Sequence, residues 1–197
     1  MREKSPQVAE KILEAARQLF VEQGYLATSM ESVARAARVS KPTVYSHFGA
    51  KAGLFRAVVS DFTDRVLETV VPEARRVDDV RAELLAFAYR LYGQLLTPEK
   101  AAWDRMLVAA AARFPQLAEI WFEMGPARAR TRLGAFLSTQ AEAGTLTVED
   151  AEFSAEMLFG MLMGSKLYHL LLSCSVPPIC SRQTERLVDA FLEVHRP

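Results

Sequence analysis

Cysteine is scarce in this chain, two residues in 197. Two thiols cannot build a disulfide framework, so the fold must hold by packing. No secretory signal is visible, because Met1 to Glu10 is polar and charged, and a reducing cytoplasm is the expected location. Alternating strand patterns of useful length are missing as well. So are a phosphate-cradling glycine loop and a nucleophile-elbow glycine pattern. His47, His169 and His195 are too scattered for a metal site, and no Cys/His cluster exists. These absences argue for no catalytic residue, no metal and no cofactor, and for a chain that is not an enzyme. Only Met157 to Leu172 is nearly continuous apolar sequence. It is short for a bilayer and contains Ser165, Lys166 and His169, so no membrane association is expected.

What remains is half hydrophobic and 24 % charged, enough for one large or two small packed domains. The 24 basic and 24 acidic residues cancel overall, but residues 1–57 carry nine Lys/Arg against five Glu. A basic end on an otherwise acidic chain suggests that this end meets a polyanion. Apolar residues recur with the helical period nearly everywhere, which predicts an all-α fold of about nine helices. Ser5-Pro6 is a start signal for the first helix, and Gly24 suits the position just past its end. Ser29 can cap a short second helix through Ala37. Val39-Ser40 reads as a turn before a third short helix, about Lys41 to His47. A long helix follows from Ala50-Lys51, and Pro72 stops it. Further starts are read at Asp78-Asp79, Thr97-Pro98 and Phe114-Pro115, with a kink at Gly125-Pro126. Thr147 to Asp150 resembles a capping box for a helix to about Leu172, and the last helix follows Pro177-Pro178.

Two short helices joined by a tight turn form a helix-turn-helix, whose second helix enters the major groove. Ala34, Ala36 and Ala37 allow close helix approach. Val33, Val39, Val44 and Phe48 can build a small core with Ile12, Ala16 and Phe20. Ser40, Lys41, Thr43, Tyr45 and His47 are left for base edges and phosphates.

The run Ala16, Leu19-Phe20, Gly24-Tyr25, Thr28, Val33-Ala34, Ala37, Val39 to Phe48, Lys51 and Leu54-Phe55 resembles the TetR-type DNA-binding domain over about residues 8–68, with the motif itself at about 29–48. Leu96 to Glu99, Arg113 to Pro115, Gly125 to Arg128 and Gly144 to Leu146 are similar to the C-terminal domain of the AefR-like branch. Many members of that branch control efflux or stress genes. The resemblance implies an N-terminal three-helix DNA-binding domain, taken as residues 1–55, and a helical ligand-binding and dimerisation domain, taken as 56–197. Carried over by position, Lys41, Pro42, Thr43 and Tyr45 correspond to groove contacts. Thr28, Ser29, Ser40, His47 and Lys51 correspond to phosphate contacts. Arg38 departs from the family, which usually has Gly in the turn. A residue there often takes positive φ, and the expectation is that Arg38 compensates by reaching a phosphate.

The family reading asks for an apolar cavity with a few polar groups. Tyr89, Tyr92, Trp103, Arg105, Met106, Phe114, Trp121, Phe122, Met124, Met161, Tyr168 and His169 are its candidate lining, with ordinary core the rival reading for each. Asp104, Glu123 and Glu156 are acids that could select a cationic ligand, or simply be solvated. Gly160 and Gly164, with Leu187, Val188, Phe191 and Val194 of the last helix, suit a four-helix dimer face. Cys174 and Cys180 could form a redox pair, against ordinary reduced thiols. The expectation is a homodimeric repressor, released from a palindromic double-stranded DNA operator by a small, largely apolar inducer. The alternatives are an activator or corepressor-dependent regulator, and a small-molecule binding protein that no longer reads DNA.

Overall fold

The structure is a computed structural model and describes residues 5–172, 175 and 178–197. The chain is all-α, with an N-terminal helix-turn-helix followed by a helical C-terminal region. Its helices are α1 (Pro6–Ala27), α2 (Met30–Ala36), α3 (Lys41–Phe48), α4 (Lys51–Thr69), α5 (Val80–Leu95), α6 (Pro98–Ala111), α7 (Pro115–Phe122), α8 (Arg128–Glu142), α9 (Ala151–Leu172) and α10 (Ser181–Val194). Among the described residues none is in a strand, and no helix is long and apolar enough to cross a membrane.

Local chemistry explains most boundaries. Pro6 sits in the first turn of α1, and Gly24 breaks that helix with φ 79° and ψ 164°, a conformation open to glycine at low cost. Ser29 caps α2 reciprocally. Its Oγ accepts from Ser32 N at 3.0 Å, while Ser32 Oγ accepts from Ser29 N at 3.0 Å. Ser40 Oγ accepts from Thr43 N, Asp79 Oδ1 from Ala82 N, and Thr97 Oγ1 from Lys100 N. Each satisfies an amide that a helix start leaves without an intrahelical partner. Pro126, which has no N–H, falls in a π-helical turn, Glu123–Ala127, that joins α7 to α8. The expected box at Thr147 is corrected. α9 begins at Ala151, so Asp150 is its cap, with Oδ1 accepting from Phe153 N at 2.9 Å. Thr147 lies too early and instead donates its N–H to His195 O at 2.8 Å. Pro177, expected before the last helix, lies outside the described residues, as do Cys174 and the basic residues Arg2 and Lys4.

The chain forms two compact units. One comprises the residues up to Asp64 with Ala102–Gly125, the other Arg65–Ala101 with Pro126–Pro197. This division does not fall at the 55/56 boundary expected from sequence. Leu54, Phe55, Val58 and Val59 of α4 are buried against α1, and α6 and α7 add Trp103, Met106, Leu107, Leu117 and Ile120 to the same core. At its centre the ring of Phe55 stacks on Trp103 at 5.5 Å, with an 11° interplanar angle. Phe20 meets both rings edge-on, at 5.7 and 6.3 Å.

The second unit packs α5, α8, α9 and α10 around Phe87, Tyr92, Phe136, Leu158 and Phe191. Several of its buried polar groups find hydrogen-bond partners, whereas the buried Nε of Arg130 has none among the described residues and lies 3.8 Å from Glu152 Oε2. Gln140 is fully buried, with Nε2 donating to Arg75 O at 2.8 Å and Oε1 accepting from Val77 N at 3.2 Å. His195 Nδ1 donates to Phe191 O at 2.8 Å, and its Nε2 pairs with Ser154 Oγ at 2.9 Å. Lys166 is buried, donates to Leu162 O at 3.1 Å and lies 5.0 Å from the Tyr92 ring centre. Burial holds its ammonium below the ordinary lysine range.

Gly53 stands where α4 leaves α3. A Cβ built there would collide with the backbone carbonyl of Phe48. The expected outcome for Gly53→Ala is a loss of about 1–3 kcal/mol as the turn shifts, read as a lower thermal unfolding midpoint. An unchanged midpoint would contradict the close approach.

Candidate nucleic-acid interface

Helices of seven and eight residues have little stability alone, so the motif depends on what it is packed against. Val33 and Ala34 of α2 and Val44 of α3 are buried in the first unit's core. Val39 and Phe48 pack against that core, half-buried. The turn closes through Ala37 N to Val33 O at 2.8 Å and Val39 N to Ala34 O at 2.9 Å. Between them Arg38 takes φ 55°, the only positive value at a non-glycine among the described residues. The turn therefore demands the conformation that glycine adopts most readily, and Arg38 bears about 1–2 kcal/mol of strain there.

With Val44 pointing inward, the rest of α3 faces solvent. Lys41, Pro42, Tyr45 and Ser46 are exposed, while Thr43 and His47 are half-buried. Ser40 Oγ and Thr43 Oγ1 lie 2.7 Å apart. Lys41 Nζ is 3.5 Å from Glu31 Oε2, both groups mostly exposed, so water screens the pair. Glu31 was not singled out from sequence. Its only signal was an acid in the first turn of α2, where any helix favours one. Exposed Ser29, Arg38 and Ser40 stand on the same helix-turn-helix, and nine of the ten expected DNA contacts are exposed or half-buried, Thr28 being the buried one.

Thr28 does not fit that role, and Lys51 also serves the fold. Thr28 is 1 % exposed, and its hydroxyl lies 3.0 Å from Leu19 O and 2.9 Å from Gly24 O. It closes the break in α1 and cannot reach a phosphate. Lys51 Nζ donates to Thr28 O at 2.7 Å and Leu26 O at 3.2 Å, and it lies 4.3 Å from the Tyr25 ring centre. Burial lowers its pKa. The ammonium ties the start of α4 to the end of α1.

The expected ligand-pocket residues divide between the two units. Trp103, Arg105, Met106, Phe114, Trp121, Phe122 and Met124 belong to the first unit; Tyr89, Tyr92, Met161, Tyr168 and His169 belong to the second. Trp103 and Met106 are core residues beside the DNA-binding helices. Tyr92 is fully buried, with its hydroxyl donating to Leu162 O at 3.3 Å, so it fills the second core. Tyr89, Phe122, Tyr168 and His169 are exposed, and His169 Nε2 is 3.3 Å from Ser175 Oγ. Arg105, Met106 and Phe114 do share a groove with the end of α1. Of the expected dimer residues, Val188 and Phe191 are completely buried inside their own unit and cannot form a subunit face. Leu187 is half-buried, whereas Gly160, Gly164 and Val194 are exposed. Cys180 is an exposed free thiol.

Two family models match the chain. Residues 12–58 match bacterial regulatory proteins of the tetR family, and residues 82–196 match the C-terminal domain of AefR-like transcriptional repressors. The chain belongs to the TetR family. An HTH-type transcriptional repressor of Mycobacterium tuberculosis is 32 % identical over 67 % of this chain and 66 % of its own length. The HTH-type transcriptional activator FasR of Mycolicibacterium smegmatis is 38 % identical over 39 % of this chain, which spans only 35 % of that relative. The crystal structure of a TetR-family regulator from Mesorhizobium loti covers the whole of both chains with a TM-score of 0.85 and 27 % identity. This TetR-family chain thus carries α2, the turn at Arg38 and α3 within the segment that matches the family's N-terminal model.

Opposite stability changes are expected at two motif positions. Arg38→Gly raises the unfolding midpoint by relieving about 1 kcal/mol of left-handed strain. Thr28→Val lowers stability by about 1 kcal/mol by removing a buried hydroxyl bond. Thermal melts of both variants check this; a fall for Arg38→Gly or no change for Thr28→Val would contradict the geometry.

Proposed function

We propose that this TetR-family chain is a dimeric, ligand-responsive repressor that reads a palindromic operator in the cytoplasm. The observation that carries the DNA-reading part is α3. Val44 anchors it in the core, and Lys41, Pro42 and Tyr45 face solvent with Ser40 and Thr43 beside them. Lys suits a guanine edge, Thr a base edge or a thymine methyl, and the hydroxyls and His47 suit phosphate. Arg38, exposed in the turn, supplies a further phosphate contact.

The dimer is supported by apolar surface on the second unit. Phe153 is 64 % exposed, Tyr168 70 %, Leu172 85 % and Val194 71 %, costly unless covered. A Cβ at Gly160 or Gly164 would meet nothing, so a second copy can approach closely there. Two recognition helices in such a dimer must lie one DNA turn apart, or a multiple, at about 34–36 Å per turn. α4 carries the chain from the first unit into the second. A ligand that fits only a splayed dimer would move it and break the spacing, and DNA would weaken ligand binding equally. The repressor sign rests on the name of the Mycobacterium relative and the description of the C-terminal family model. FasR, an activator, favours the opposite sign as the second reading.

Selection of genomic DNA fragments by the purified protein at two salt concentrations tests the proposal. The expected result is a palindrome recovered by the wild type and lost by Lys41→Ala. Arg38→Gly is expected to bind it with a log–log salt slope smaller by about 1. No selective recovery by a folded dimer, with or without candidate ligands, would remove the regulator reading. An unchanged slope would remove the phosphate contact of Arg38.

A further inference from the structure

The first unit holds a groove of about 740 Å³ in which the end of α1 faces α6 and the start of α7. Its size is in the range of small-molecule sites. The floor is apolar, formed by Tyr25, Met106, Ala109, Ala110 and Phe114. Tyr25 and Phe114 meet edge to face at 5.2 Å. Exposed Arg113 supplies the charge, Arg105 lines the groove while engaged with another group of the protein, and no acidic side chain is among the described residues that line it. An apolar lining beside the Arg113 guanidinium is complementary to a molecule with an apolar body and a carboxylate head, because a planar guanidinium can bond both carboxylate oxygens.

We infer that this groove is an effector site for an apolar carboxylate. All of its lining residues belong to the first unit. Its connection to the DNA-reading helices is on the page. Gly24, where α1 breaks, and Tyr25 to Ala27 form one wall. Lys51 holds that same segment through Leu26 O, Thr28 O and the face of Tyr25, and Lys51 begins α4 directly after the recognition helix. A ligand seated against Tyr25 therefore bears on the joint from which α2, α3 and α4 depart. The effector role rests on the regulator reading above, whereas binding itself does not.

The test uses decanoate below its micelle concentration as the probe, with decanol and decylammonium as controls. Trp103 and Trp121 are the only two tryptophans, and both lie in the first unit, so intrinsic fluorescence reports on that unit. Saturable decanoate binding is expected, with decanol and decylammonium each about tenfold weaker or worse, a difference of about 1.4 kcal/mol. Ala109→Phe fills the groove and Arg113→Glu reverses its charge. Both positions are exposed, so the fold should survive, as a melt confirms. Each variant is expected to weaken decanoate at least about fivefold, and decanoate is expected to change operator affinity about fivefold in the wild type but not in Ala109→Phe. No binding, equal binding by both variants, or decanol bound as tightly as decanoate overturns the site. Binding without any change in operator affinity overturns the effector role. Fluorescence titration needs no DNA, so failure of operator recognition would leave the binding result standing.

Discussion

The face-to-face packing of Phe55 on Trp103, with Phe20 against the edge of both, is the contact on which the first unit depends. It brings α1, α4 and α6 to one point. Aromatic pairs in offset or edge arrangements are worth about 0.5–1.5 kcal/mol each beyond the area they bury. The reading helix needs this support because α3 contributes one fully buried side chain, Val44. Its orientation is inherited from the core below it. A residue of α6 can thus matter to DNA reading without approaching DNA, and the unit that presents α3 also contains Ala102–Gly125.

Much of this was legible from residue types and spacing. Ser29, Ser40 and Asp79 announce helix starts because their side chains replace missing intrahelical acceptors. Gly24 announces a break because its position calls for positive φ, whereas the strained turn at Arg38 was expected from the family resemblance and not from the residue itself. What spacing could not supply was direction and partner. Helical period marks Trp103 and Met106 as inward-facing, yet it cannot say that the helix behind them is α1 rather than a ligand cavity. Val188 and Phe191 have the spacing of a dimer face and spend it inside their own subunit. A motif transfers residue type by position, so Thr28 looks like a phosphate contact until its burial and its hydrogen bonds show it closing the break in α1.

In the second unit a hydrogen-bonded core contrasts with a conspicuous exterior. Gln140, His195 and Tyr92 find protein partners, which limits the alternative packings its core can take. The exposed side of α9, by contrast, offers Phe153, Tyr168 and Leu172 to solvent. The proposed dimer would account for that asymmetry, because a second copy would cover the apolar face.

The central claim is that α6 and α7 fold with the DNA-reading helices as one cooperative unit. Native-state hydrogen exchange in rising denaturant, on wild type and on Phe55→Ala, tests it most directly. The account predicts that amides of Trp103 to Ile120 lose protection together with those of Ile12 to Val59, and that Phe55→Ala lowers both stretches by the same free energy. If the amides of Trp103 to Ile120 instead follow α5 and α8, and are untouched by Phe55→Ala, the shared core does not govern the molecule.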